Sequence, residues 1–184
     1  AKAVIKAREA MAAEQQRTAD ELAAKRLQIE REYQDAMLEL IADGNERRLT
    51  EIELQTGREV EALRQRMAKL SETETTARAQ LQAMIDANEA EAEEQRRQVY
   101  AQMAEDEYNA EMQKIETAKQ LNTLRAETEQ ERIAAEIEAK TAEAEMLRNI
   151  DDETKAALFE SEDAYLIKKM ETEQALAELN QKAI

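Results

Sequence analysis

The chain has 184 residues, a net charge of −16, two glycines and no proline, cysteine or histidine. Proline costs a helix interior about 3 kcal/mol and glycine about 1 kcal/mol, so almost nothing here can interrupt an α-helix. The missing residues exclude disulfides, thiolate nucleophiles and imidazole bases or ligands, and the acidic excess repels phosphate backbones and anionic lipid.

The expected fold class is all-α: long helices forming a coiled-coil rod or helical bundle. The strong core formers number 31 (16 Leu, 11 Ile, 3 Val, 1 Phe) against 35 Ala, which falls below the roughly 20% expected of a self-sufficient core. Each helix is therefore easy to form but carries too narrow an apolar stripe to bury itself alone, and needs a partner helix. A homo-oligomer is expected, with three copies as the favoured count. Charge is graded along the chain: residues 1–69 carry 13 basic and 14 acidic groups, residues 70–126 carry 6 and 12, and residues 127–184 carry 7 and 16.

Ala1 to Met11 (AKAVIKAREAM) lacks the apolar core of a signal peptide and begins without an initiator Met, as expected of a piece of a longer protein. From there apolar residues recur every eleven positions: Ile5, Gln16, Leu27, Leu38, Leu49 and Val60 form one series, Met11, Leu22 and Tyr33 a second, and Ile41, Ile52 and Leu63 a third. Asp43-Gly44-Asn45 is the strongest break, with Gly44 suited to a left-handed C′ position and Asn45 to an N-cap. Gly57, inside a periodic stretch, is expected at a close helix contact rather than a turn.

Val60, Leu63, Met67, Leu70, Ala77, Leu81 and Met84 alternate steps of three and four, the a/d seam of a heptad. Val60, Leu63, Met67, Leu70, Leu81 and Met84 are accordingly the expected helix-interface residues. Eleven-residue spacing implies straight or slightly right-handed winding and seven-residue spacing left-handed winding, so weak supercoiling is expected. Ser71-Glu72-Thr73-Glu74 has capping-box spacing. Between Asp86 and Gln98 no large apolar residue occurs. A thinner, Ala-containing stripe resumes at Val99, Met103 and Met112, and Asn149-Ile150-Asp151-Asp152 offers caps for a last helix reaching Ile184. The expectation is one elongated helical segment, residues 1–184, with breaks near 43–45, 71–74 and 149–152. A continuous helix of this length would measure about 275 Å at about 1.5 Å per residue.

No catalytic, cofactor-binding or metal site is expected. Ser71 and Ser161 sit among glutamates without a base to activate them, and Gly44 and Gly57 belong to no phosphate loop. The acids Glu89, Glu91, Glu93 and Glu94, and Asp151, Asp152 and Glu153, lie on predicted helix rather than around the turn a calcium loop requires. Arg96 and Arg97, flanked by acids, are expected to be a solvated pair. Tyr33, Tyr100, Tyr108, Tyr165 and Phe159 are expected to pack in helix seams, with hydroxyls at the polar rim. No segment approaches the roughly 20 apolar residues of a membrane span, so neither membrane nor direct nucleic-acid partners are expected.

The stretch from Tyr33 to Leu70 (YQDAMLELIADGNERRLTEIELQTGREVEALRQRMAKL) reads as an apolar helix end, a D-G turn, a basic pair and an L-x-x-I-x-L helix. It resembles the helical repeats of bacteriophage tail tape-measure proteins, and Tyr165 to Ile184 is more faintly similar to them. The resemblance implies a length-defining rod in a phage-type tail, with tail-tube or other structural proteins as partners and a location in the virion or bacterial cytoplasm. No membrane-active segment or peptidase-like region of the kind associated with that family is present. Ile133 to Met146 (IAAEIEAKTAEAEM) is similar instead to the Ala/Glu-rich tails of flotillin-like and vault-like assemblies, which implies a cytoplasmic coiled-coil scaffold.

Overall fold

A computed structural model describes all residues from Ala1 to Ile184. The chain is all-α, 89% helical, with six helices and no strand: α1 (Lys2–Glu39), α2 (Gly44–Ala68), α3 (Thr75–Arg125), α4 (Glu129–Asn149), α5 (Asp152–Leu158) and α6 (Glu162–Lys182). It divides into two compact units, Ala1–Glu93 and Glu94–Ile184. The division falls inside the stretch without large apolar residues, where α3 runs on without a break because alanine and glutamate keep helix propensity high.

The breaks lie where side chains can take over the free amides of a helix start. At the first, Gly44 is not a left-handed C′ residue and Asn45 is not the cap. No glycine has positive φ, α1 ends with Leu40 in the right-handed region, and Gly44 is the first residue of α2. Asp43 is the N-cap, its carboxylate accepting the Glu46 amide at 2.7 Å; an anion there also meets the positive end of the helix dipole. Gly57 lies within α2 and is exposed, and a Cβ added there would meet nothing within 4 Å, so it marks no close helix contact.

The second break, between Ala68 and Thr75, makes only half of a capping box. Glu74 accepts the Ser71 amide at 2.8 Å, while the Ser71 hydroxyl turns to Thr73 and to Glu74 instead of the helix backbone. The full box forms where none was expected. Thr128 accepts the Glu131 amide at 3.2 Å, and Glu131 accepts the amides of Thr128 at 3.1 Å and Glu127 at 2.6 Å. Those amide donors hold the Glu131 carboxyl below the ordinary glutamate value. Asp151 caps α5 through the Thr154 amide at 2.7 Å, and its carboxyl is likewise lowered by Thr154. The last helix does not run from there to Ile184: α5 stops at Leu158, and Ser161 caps α6 through the Ala164 amide at 3.1 Å.

In the first unit successive helices fold back on one another. Arg47 pairs with Glu39 at 2.7 Å, and farther from the turn Arg58 pairs with Asp35 at 2.7 Å and donates to the Arg31 carbonyl at 3.3 Å. The partners recede from the turn in both directions, so α1 and α2 are antiparallel. The same holds for α2 and α3: Arg78 donates to the carbonyls of Met67 and Leu70, and Arg64 lies 3.6 Å from Glu89. Between these two helices Val60, Leu63, Leu81 and Ile85 form a buried cluster flanked by Met67 and Leu70.

In the second unit α4 and α6 are also antiparallel. The Tyr165 hydroxyl near the start of α6 donates to the Leu147 carbonyl near the end of α4 at 2.6 Å, while Lys168, one turn on, lies 3.5 Å from Glu143. Val99, Ala135, Ala144 and Leu147 are buried, and small alanines at such positions let helix axes approach closely. Leu63→Ala should cost about 2–3 kcal/mol in thermal or denaturant unfolding because it opens a cavity in the α2–α3 cluster. Met84→Ala should stay within about 0.5 kcal/mol; equal losses would contradict this packing.

Candidate functional site

The six expected interface residues separate into three groups. Val60, Leu63 and Leu81 are buried together, Met67 and Leu70 are partly buried beside them, and Met84 is 48% exposed. Within the chain Ile85, with 2% of its surface left, occupies the inward position beside Leu81. The heptad count ran straight across residues 69–74, but the helix stops there and α3 sets its register anew. A step of four from Leu81 then points inward, where a step of three does not. Within the chain, these residues pack between α2 and α3.

The aromatic residues divide similarly. Tyr33 and Tyr100 are exposed within the chain. Met11 and Leu22, which share the Tyr33 series, are exposed with it. Tyr108 is half-buried. Tyr165 is buried, with Lys155 Nζ 4.3 Å from its ring centroid and Phe159 edge-on at 5.5 Å. Its hydroxyl reaches not a polar rim but the Leu147 carbonyl, one of the four carbonyls that the end of α4 leaves without an intrahelical partner. The ring, the cation and the hydroxyl together hold the α4–α6 connection in place.

Glu143 is the one buried acid, with Lys140 Nζ at 2.9 Å on its own helix and Lys168 Nζ at 3.5 Å on α6. Burying a carboxylate is costly unless it is paired, and the two ammonium groups supply that pairing from both helices. Its field extends to Tyr108, whose phenol is held above its ordinary value first by burial and second by the Glu143 charge. Sequence reasoning passed over Glu143, since nothing local distinguishes it from the surrounding glutamates.

No three Asp or Glu side chains are placed to hold a metal ion. Arg97 pairs with Glu94 at 3.1 Å on the surface. Open clefts lie beside several of these residues. One of about 430 Å³ is lined by Thr56, Gly57, Val60 and Arg64, and one of about 350 Å³ lies beside Phe159 and Tyr165. Another, of about 210 Å³, lies between α3 and α4 and is lined mainly by alanines and lysines. Ser71 and Ser161 both serve helix starts. No helix is long and apolar enough to cross a membrane. No family model, curated protein or solved structure matches the chain.

Glu143→Gln removes a negative charge that disfavours the Tyr108 phenolate. The Tyr108 pKa should therefore fall, while staying above its ordinary value because burial, the larger cause, remains. Ring-resolved NMR titration of Tyr108 in the two proteins checks this; an unchanged or raised midpoint would contradict it.

Proposed function

We propose that the chain is a structural spacing element of the tape-measure type, working within a phage-type tail through the dimensions and surfaces of its helices, without catalysis or cofactor. Its partners in this reading are further copies of itself and tail-tube or other structural proteins, and its location is the virion or the bacterial cytoplasm. The observation that carries the reading is how the side chains are used. The hydroxyls, carboxylates and guanidinium groups described above cap helix starts, pair helices or lie on the surface, and the largest apolar groups join one helix to the next. A chain that is 89% helical fits an element whose output is distance, about 1.5 Å for each residue of helix. The stretch from Tyr33 to Leu70 that resembles tape-measure repeats is a helix end, an Asp43-capped turn and a helix.

One observation favours the scaffold alternative, a coiled-coil assembly of flotillin-like or vault-like kind: α1 with α2, α2 with α3, and α4 with α6 fold back on each other. A chain folded back gives up length for width, which suits a connector better than a ruler.

Deletion separates the two readings. In the assembled structure, removing about 77 residues, a common multiple of the seven- and eleven-residue periods, should shorten it by about 115 Å if the chain acts extended. Electron microscopy of the assemblies measures this. An unchanged length would exclude the ruler role and leave the scaffold.

A further inference from the structure

α1 has two apolar faces, and only one is used within the chain. The face carrying Leu27, Arg31, Gln34 and Leu38 is the buried or half-buried one, and α2 lies against it through Arg31 and Asp35. Opposite lies a second stripe. Val4, Leu22 and Leu40 are eighteen residues apart, as are Met11 and Ile29, and eighteen residues make five turns at about 3.6 per turn. These five residues and Tyr33 therefore line one straight face, and they are between 49% and 75% exposed. Leu40 keeps the right-handed backbone region as the helix ends, so it stays on that face.

The edges of the stripe differ in charge. One edge carries Glu14, Glu21, Lys25, Glu32 and Glu39, and the other Arg8, Arg26 and Glu30. In a parallel, in-register pair of helices, each residue on the first edge faces the residue five positions later on the second edge of the partner. Glu21 then faces Arg26 and Lys25 faces Glu30, each twice by symmetry. Glu14 and Glu32 face Ala19 and Met37, so no like charges meet. An antiparallel pair would instead set the edge with four glutamates against itself. Lys25, Arg26 and Glu30 take part in no ion pair within the chain.

We propose that this outward face of α1 is a self-association surface, on which a second copy of the chain docks parallel and in register. The stripe is one to two residues wide, enough for one partner helix, so the assembly is a dimer. α2 occupies the opposite face in each copy and leaves the surface free. The proposal deepens the part of the functional reading that gives the chain copies of itself as partners, and it does not depend on a tail.

Light scattering and sedimentation of the full chain, at concentrations up to about 100 µM, a range in which ordinary specific dimers form, should give twice the monomer mass of 21.0 kDa. Leu22→Glu should return the mass to that of one chain with helix content by circular dichroism unchanged, since Leu22 lies on the exposed stripe and outside the face that meets α2. Arg26→Glu should weaken the dimer about tenfold by turning two attractions into repulsions, and Glu21→Arg combined with it should restore it. As the chain has no cysteine, Met11→Cys and Ile29→Cys should each form a disulfide-linked dimer on mild oxidation. A monomeric wild type, a mass of three copies, a dimer indifferent to Leu22→Glu, or crosslinking at only one of the two cysteine positions would overturn the proposal. Because mass, not assembled length, is read, failure here leaves the spacing role standing, and failure of the deletion test leaves this surface standing.

Discussion

The scarcity of large apolar side chains governs this molecule. With 31 strong core formers in 184 residues, no helix can exclude water along its length by itself, and fixing each residue costs about 1–2 kcal/mol of backbone entropy. Each helix must therefore be covered by another. The chain meets that need internally by reversing after α1, after α2 and between α4 and α6, so that sparse stripes meet in pairs. Val60 and Leu63 meet Leu81 and Ile85, and Leu147 is buried near Tyr165.

The charged residues take over where apolar ones run out. The α1–α2 contact includes the ion pairs of Arg58 with Asp35 and Arg47 with Glu39, with Leu38 as its buried apolar residue on α1. Exposed ion pairs contribute only about 0–1 kcal/mol each, so these pairs fix which residues meet more than they stabilise the contact. The Glu143 arrangement does the same from a buried position, because a carboxylate paired from two helices fixes which residues meet, whatever its net contribution to stability. Residues 1–26 of α1 are exposed throughout and rest on helix propensity and local pairs such as Arg17 with Glu14. The apolar residues on that stretch are available to a partner.

All-α character was legible from the missing prolines and the alanine and glutamate content, but the helix ends at Arg125 and Leu158 were not expected. The details of the breaks were less legible. Gly44 drew attention through its rarity, yet Asp43 does the capping, because a carboxylate satisfies a free amide whereas glycine only permits a turn. Thr128-x-x-Glu131 and Ser161 cap helix starts without a neighbouring glycine to mark the break in the sequence. Within the chain Ile85 rather than Met84 is inward, because a periodicity holds only as far as the helix that bears it. The partner of each stripe was not legible at all. A heptad seam looks the same whether its complement lies on another copy or on the next helix of the same chain.

That choice is also the most direct test of the account. Spin labels at Arg64→Cys and Glu89→Cys, studied by double electron–electron resonance in a large excess of unlabelled chain, read the distance within a single copy. Antiparallel α2 and α3, packed at an interaxial spacing of about 8–10 Å, predict a label separation below about 20 Å that persists under dilution. A separation near 38 Å, the length of 25 residues of continuous helix at about 1.5 Å each, would show that the stripes are covered by other copies and contradict the intrachain pairing.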